Sequence, residues 1–537
     1  MKKAIAFILA ALAVFSLSGL AVRAERVFLF DVYLNGKAAS KLTNGSYADC
    51  VEATELTVSA SSEIRGLYII FYDTPADVTV YSDGEIVHAP ADYLHKFISL
   101  ENCPSVEIII SFDGKAALAE VTAYGSSSPD GVQIWEPPCE AADLLLCTTH
   151  ADDEQLFFAG ILPYYAGERG FDVQVIYFTD HTDKAIRRHE LLNGLWTVGV
   201  THYPVIGILP DEYSRSNDAE DAYDWAVENA ASHGITEDDL VSFYTDQIRR
   251  FKPLIAVCHD LRGEYGHGQH ILNVRTFLKA AEQSGDPENC KDSAETYGVW
   301  DVKKIYVHLY DENEVVMDFD KPLDAFGGLT AFQVSQRGFA CHHSQHGGWF
   351  DDWMYGKNRT LSKAADINVD PYKRSDCYYS PCRYGLYKST VGEDVLCNDL
   401  AENIETYKEK AEREAEESRI AESESISAAE ESMRIYESES ISEALESLRI
   451  YESESLSEWE SESRFESEED SRIESEAESL SQAAESKRAA VSESKRLAAE
   501  ERERKFSSSA FTVIFISVGI SLAVSSVIFV ILKKRRI

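Results

Sequence analysis

The stretch LLLCTTHADDEQLFFAG, residues 144–160, sets His150, Asp152, Asp153 and Glu154 at the end of an apolar run. Imidazole and carboxylate so close together are metal donors and proton carriers. A second apolar run leads into CHDLRGEYGHGQH, residues 258–270, which ends in His267 and His270 among glycines that let backbone approach a ligand. His150, one aspartate and His270 would make a two-histidine, one-carboxylate zinc site with a position open for water. The spare aspartate would then take the proton of that water. Two further stretches have suitable side chains. In IRRHELLNGLWTVGV, Arg187 and Glu190 share a helix face, and in CHHSQHGGW, residues 341–349, histidines and a glutamine would line a pocket. Taken singly, these pieces read as an acidic helix cap, a surface ion pair and a polar loop. Together they read as a site.

Such residues need a scaffold. Between about 136 and 403, the runs DLLLCTTH, VQVIYFT, LIAVCHD and KIYVHLY have the continuous apolar character of buried parallel strands. Helical stretches such as EQLFFAGILPYYAG and DLVSFYTDQIRRF alternate with them. The expectation is an α/β domain with a Rossmann-like, mostly parallel sheet, in which ligands bind at the carboxyl ends of strands, where His150 stands. Residues 26–133 instead show short alternating strands, with turn pairs at Asp83-Gly84 and Asp113-Gly114, which predicts an all-β, jelly-roll-like sandwich.

Residues 404–505 are rich in Glu, Ser, Ala and Arg and repeat every 15 residues at Arg419, Arg434, Arg449 and Arg464. They read as a stalk, either a helix able to self-associate or a disordered acidic spacer. Residues 1–24 read as an export signal, 510–532 as one transmembrane helix and 533–537 as a basic cytoplasmic tail. That topology predicts a single-pass cell-membrane protein with an extracellular catalytic head. Ten cysteines in such a chain permit disulfides, with Cys377–Cys382 and Cys50–Cys103 as candidate pairs. A formal charge of −41 argues against nucleic acid as a partner. Neutral or basic glycans remain compatible with it.

In their order, the HADDE, Arg187–Glu190, GHGQH and His342–Gln345 motifs resemble the PIG-L/LmbE-like family of zinc-dependent N-deacetylases, over about half the chain. The resemblance implies zinc, or another divalent ion, on His150, Asp153 and His270, with Asp152 as general base. It also implies His267 as oxyanion stabiliser or proton donor and substrate contacts from Arg187, Tyr265 and His342. Two positions depart from the family pattern: Ala151 replaces a proline, and Gln269 replaces an aspartate that supports the nearby histidine. The β-rich region loosely resembles the discoidin-like domains found beside exported glycan-active enzymes, and it reads equally as a sugar-binding or a purely structural β domain.

The combined expectation is a membrane-anchored deacetylase of N-acetylglucosamine-type amino sugars in a glycan or glycoconjugate. One rival is a glycan-binding adhesin with a weakly active or vestigial enzyme domain. The other is a hydrolase of a different N-acyl amide.

Overall fold

A computed structural model of the protein describes residues 28–129, 131–367 and 380–462, with Ser479 and Ser481. Residues 28–416 form one compact unit, and residues 417 onward belong to a second.

Within the first unit a seven-stranded sheet carries the site. Its strands are β1 (Leu144–Thr148), β2 (Val173–Thr179), β3 (Val205–Leu209), β4 (Ile255–Cys258), β5 (Lys304–His308), β6 (Glu314–Val316) and β7 (Arg383–Ser389), in the order β3-β2-β1-β4-β5-β7-β6. The first five are parallel, while β7 runs antiparallel to both β5 and β6. Every residue of β1, β2, β4 and β5 is buried, as the unbroken apolar runs require. Alternate side chains serve opposite faces. Leu144 and Leu146 enter one core, and Leu145 and Cys147 enter another. Each such leucine stabilises the fold by about 1.5–3 kcal/mol. The chain leaves β1 for β2 and β3 on one side and returns to β4 and β5 on the other. This reversal between β1 and β4 opens the crevice where ligands bind in such sheets.

The N-terminal strands, from Phe30–Leu34 to Ser105–Tyr124, are antiparallel and hydrogen-bonded into one eight-stranded network. The 20-residue strand Ser105–Tyr124 links it, pairing with Val78–Ser82 and Val51–Ile64 along its first part and with Gly66–Phe71 along its last. Asp83-Gly84 makes the predicted two-residue hairpin, both residues at positive φ. Asp113-Gly114 does not separate strands. It lies inside the long strand, where the register shifts opposite Ala53 and Glu55.

One helix, Tyr407–Glu462, opens the acidic repeat, and Ile420, Ile435, Ile450, Ile426 and Ile441 are exposed along it. The membrane localisation is corrected: among the described residues no helix is long and apolar enough to cross a membrane. The segments 1–24 and 510–537 on which that expectation rested lie outside the described residues. Cys50 and Cys103 are both free thiols, not a disulfide. Cys377 lies outside the described residues, and its candidate partner Cys382 is free.

Candidate active site

The carboxyl end of β1 delivers His150, and the chain then turns sharply. Asp152 holds φ 122°, a region L-residues rarely adopt, at a cost of about 1–3 kcal/mol. Glu154 braces the turn, one oxygen accepting the Asp152 backbone N–H at 2.9 Å and the other meeting His342 Nε2 at 2.8 Å. The short helix α1 (Asp153–Leu156) begins there. From the carboxyl end of β4, the chain passes through Glu264 and Tyr265 to His267, which caps α4 (Gly268–Gln283).

Three inward atoms meet at the crevice. His150 Nδ1 lies 3.2 Å from Asp153 Oδ2 and 3.1 Å from His270 Nε2, and His270 Nε2 lies 3.2 Å from Asp153 Oδ2. Three donors held at about 2.0–2.2 Å by one tetrahedral ion stand at nearly this spacing. Hydrogen bonding on the far side of each ring assigns the tautomers. Gln269 donates its amide to the Pro210 carbonyl, so its Oε1 accepts from His150 Nε2 at 2.9 Å. Glu264 Oε2 accepts from His270 Nδ1 at 2.8 Å. With these far-side bonds, each ring can turn a lone pair inward beside Asp153. Three buried donors this close require a positive species among them, a proton on His270 in the metal-free chain or a cation in its place, so the residues fit a divalent cation.

Two overlapping sets of possible donors add His267 to His150 and His270, and His259 to Asp153 and His270. His259 is committed elsewhere: its Nε2 accepts the Thr149 N–H at 3.0 Å and its Nδ1 donates to Glu264 at 2.6 Å. His267 Nδ1 accepts the Gln269 N–H at 3.2 Å, which leaves its proton on Nε2. Its ring packs 4.7 Å from His150 and 5.0 Å from His270. The Tyr265 ring lies 5.5 Å from His267 and 5.4 Å from His270.

Electrostatics separate the two aspartates. Burial pushes the Asp152 carboxyl well above the usual carboxylate range, Arg187 only partly opposing it, while Asp153, Glu154 and Asp211 push the same way. Asp153 is as deeply buried, but His270 and His150 hold it well below that range. One acid stays ionised while its neighbour readily carries a proton, the division expected of an acid–base pair with separate roles. For His270, burial alone would lower the pKa, but Asp153 and Glu264 raise it to about 10.

Arg187 and Glu190, on α2 (Ala185–Thr197), are both buried and serve different loops. The Arg187 guanidinium bonds the Ala151 carbonyl at 2.7 Å and pairs with Asp211, and it lies 3.5 Å from Asp152. Glu190 accepts the Ser344 N–H at 2.8 Å and the Ser344 hydroxyl at 2.5 Å. His342, expected to line a pocket, is fully buried against Glu154. Arg187, directly, and His342, through Glu154, thus hold the turn between His150 and Glu154.

Three residues were missed at the level of sequence. Asp211 pairs with Arg187 and lies 3.5 Å from His150 and 3.4 Å from His181, contacts that hold its carboxyl low against burial. Its signal was available, since it follows the carboxyl end of the apolar run VIGIL. His259 lies in a quoted motif but went unassigned. His308 ends β5, and its Nδ1 meets Glu264 Oε1 at 2.7 Å.

Residues 145–281 match the model of the PIG-L family, GlcNAc-PI de-N-acetylase. A 1D-myo-inositol 2-acetamido-2-deoxy-alpha-D-glucopyranoside deacetylase 1 from Catenulispora acidiphila is 29% identical over 213 residues, 35% of this chain and 61% of that protein. Its counterpart in Streptomyces scabiei is 27% identical over 206 residues, 33% of this chain and 59% of that one. The chain thus spans about three-fifths of the length of these curated relatives. A solved N,N'-diacetylchitobiose deacetylase from Pyrococcus horikoshii overlaps 46% of this chain and 84% of its own, at 16% identity and a TM-score of 0.31, too partial to bear on function.

Proposed function

Starting from a PIG-L-family domain at residues 145–281, we propose that this protein is a metal-dependent N-deacetylase acting on N-acetylglucosamine-type amino sugars in a glycan or glycoconjugate. The supporting observation is the triangle of His150 Nδ1, Asp153 Oδ2 and His270 Nε2, with edges of 3.1–3.2 Å and each ring's far nitrogen already donating. These three residues would hold zinc or another divalent ion. When bound, the ion supplies Lewis-acid polarisation of the acetamide and acidifies a water.

The remaining work falls to side chains. Asp152, whose burial raises its proton affinity, takes the proton of the attacking water and returns it to the departing amine. Arg187, 3.5 Å from Asp152, orients that carboxyl and offsets its burial. His267, with its proton on Nε2, donates to the oxygen that gains charge in the tetrahedral intermediate. The Tyr265 ring walls the same side. Gln269 fills the position where a family aspartate would support His267, and here it supports His150 instead. The intact set argues against an adhesin with a vestigial domain.

The test is metal analysis of the purified chain together with acetate release from N-acetylated amino sugars. One divalent ion per chain and acetate release abolished by a chelator are expected. No metal, and no rescue by added zinc, would remove the reading.

A further inference from the structure

Tyr213 and Trp225 stand out among the exposed side chains of the first unit. Trp225 is 42% exposed, and no other tryptophan whose burial is described is as open. Tyr213 is 62% exposed, the most open aromatic ring of that unit. The two are in contact, with ring centroids 6.0 Å apart and planes at 88°. Tyr213 also lies 6.1 Å from the His267 ring, so the pair borders the catalytic centre.

The pair is fixed there by backbone. The Gly268 N–H reaches the Ser214 carbonyl at 2.5 Å, the Ser216 N–H reaches the Gly266 carbonyl at 3.3 Å, and Arg215 Nε donates to the Tyr265 carbonyl at 3.1 Å. The helix carrying Trp225, α3 (Ala219–Ser232), approaches so closely that a Cβ on Gly268 would sit 2.0 Å from the Ala222 carbonyl oxygen. Only glycine fits at that position. The aromatic surface therefore holds a set distance from His150, Asp153 and His270.

We propose that Tyr213 and Trp225 form an aromatic corner for the pyranose ring glycosidically linked to the acetamido sugar at the catalytic centre, one ring stacking on the sugar face and the other, set perpendicular to it, walling its edge. This rests on the deacetylase reading and narrows its substrate class to oligosaccharides. A pyranose presents a face of C–H groups that packs on the electron-rich face of an aromatic ring, and its hydroxyls stay in water. Charge favours the same occupant. Asp221, Asp224 and Glu228 lie on α3, which contains no basic residue, and Arg275 offsets only Glu220, so a polyanion or an anionic lipid surface is repelled. A neutral sugar is not. Exposed Tyr–Trp pairs also serve as protein-binding hot spots, but continuity with the catalytic residues favours substrate.

The experiment compares initial rates on N-acetylglucosamine and on a disaccharide of two N-acetylglucosamine units. It uses the full chain and the variants Trp225→Ala, Tyr213→Ala and Trp225→Phe, with folding checked by circular dichroism. The ratio of kcat/KM, disaccharide over monosaccharide, should fall about tenfold in each alanine variant, mainly through KM, and recover in Trp225→Phe. A ratio unchanged in folded alanine variants, or already near one in the native chain, overturns the proposal. A native chain that deacetylates neither sugar removes the deacetylase reading instead. Calorimetric titration of the same disaccharide then reads the aromatic corner alone. Binding weakened about tenfold by Trp225→Ala supports it, and equal or absent binding overturns it.

Discussion

Replacing Glu264 with glutamine should weaken metal binding by about 10–100-fold while leaving the chain folded. Glu264 is fully buried and accepts four N–H groups: His259 Nδ1 at 2.6 Å and His270 Nδ1 at 2.8 Å on one oxygen, His308 Nδ1 at 2.7 Å and the Asp260 backbone at 3.2 Å on the other. Burial alone would raise its pKa, but the histidines hold it well below the usual carboxylate range. A glutamine offers one oxygen and one NH2 group. With the oxygen towards His259 and His270, both keep their tautomers, and the NH2 group confronts the Asp260 N–H while donating to His308 Nδ1, whose other nitrogen keeps its proton towards the Ser380 carbonyl. The reverse orientation would force the His270 proton inward onto Nε2 and abolish a donor, so the first is selected. What is lost is the charge behind the His270 bond. Hydrogen bonds to charged groups are worth about 1.5–3 kcal/mol against about 1 kcal/mol for neutral ones, and partners behind metal-ligating histidines govern 10–100-fold in affinity. That corresponds to about 1.4–2.7 kcal/mol. Competition against a chromogenic chelator measures the affinity, and a thermal melt checks the fold. A folded Glu264→Gln protein that binds within twofold of the native affinity would refute the reasoning.

Asp152→Asn should retain the metal but lose acetate release by about 10²–10⁴-fold, read by parallel metal analysis and rate measurement. Full activity in that variant would sink the assignment of the base. Metal affinity should also rise with pH. In the metal-free chain His270 titrates near pH 10 and must lose its inward proton to bind, so below that value affinity climbs by up to about tenfold per unit. Chelator competition at several pH values tests this, and a flat profile would contradict it. Asp260→Asn should stabilise the fold at neutral pH. Burial, with Glu264 beside it, raises the Asp260 pKa to about 6 from its ordinary 3.8. The unfolded chain therefore ionises first, stability falls as pH rises through that window, and asparagine removes the loss. The gain is at most about 3 kcal/mol at neutral pH and vanishes below pH 3.8, as urea titrations at the two extremes would show.

The parallel strands were legible because β1, β2, β4 and β5 are buried on both faces and so read as unbroken apolar runs. Site residues at the ends of β1 and β4 followed from that reading. His308 was missed because its role depends on Glu264, 44 residues away, and only sheet order brings β5 beside β4. Gln269 shows the same limit, since nothing in the local sequence says that this glutamine reaches His150 across 119 residues. The turn expected at Asp113-Gly114 is absent because the pair, although it has the composition of a hairpin turn, lies within a long strand at a register shift.

Helix α2 bears on how the protein can be cut. One face of the helix sends Arg187 towards Ala151, and the opposite face carries His189 and Asn193, which bind the N-terminal sheet and the segment after it. His189 meets His95 at 2.8 Å and the Tyr72 carbonyl at 2.9 Å, and Asn193 accepts from Gln133 at 2.6 Å. The β-rich region is therefore not a detachable module. Truncating the chain at the PIG-L boundary would strip buried partners from the helix that steadies the catalytic turn. A shortened protein beginning near residue 136 should be tested for solubility before its inactivity is blamed on chemistry.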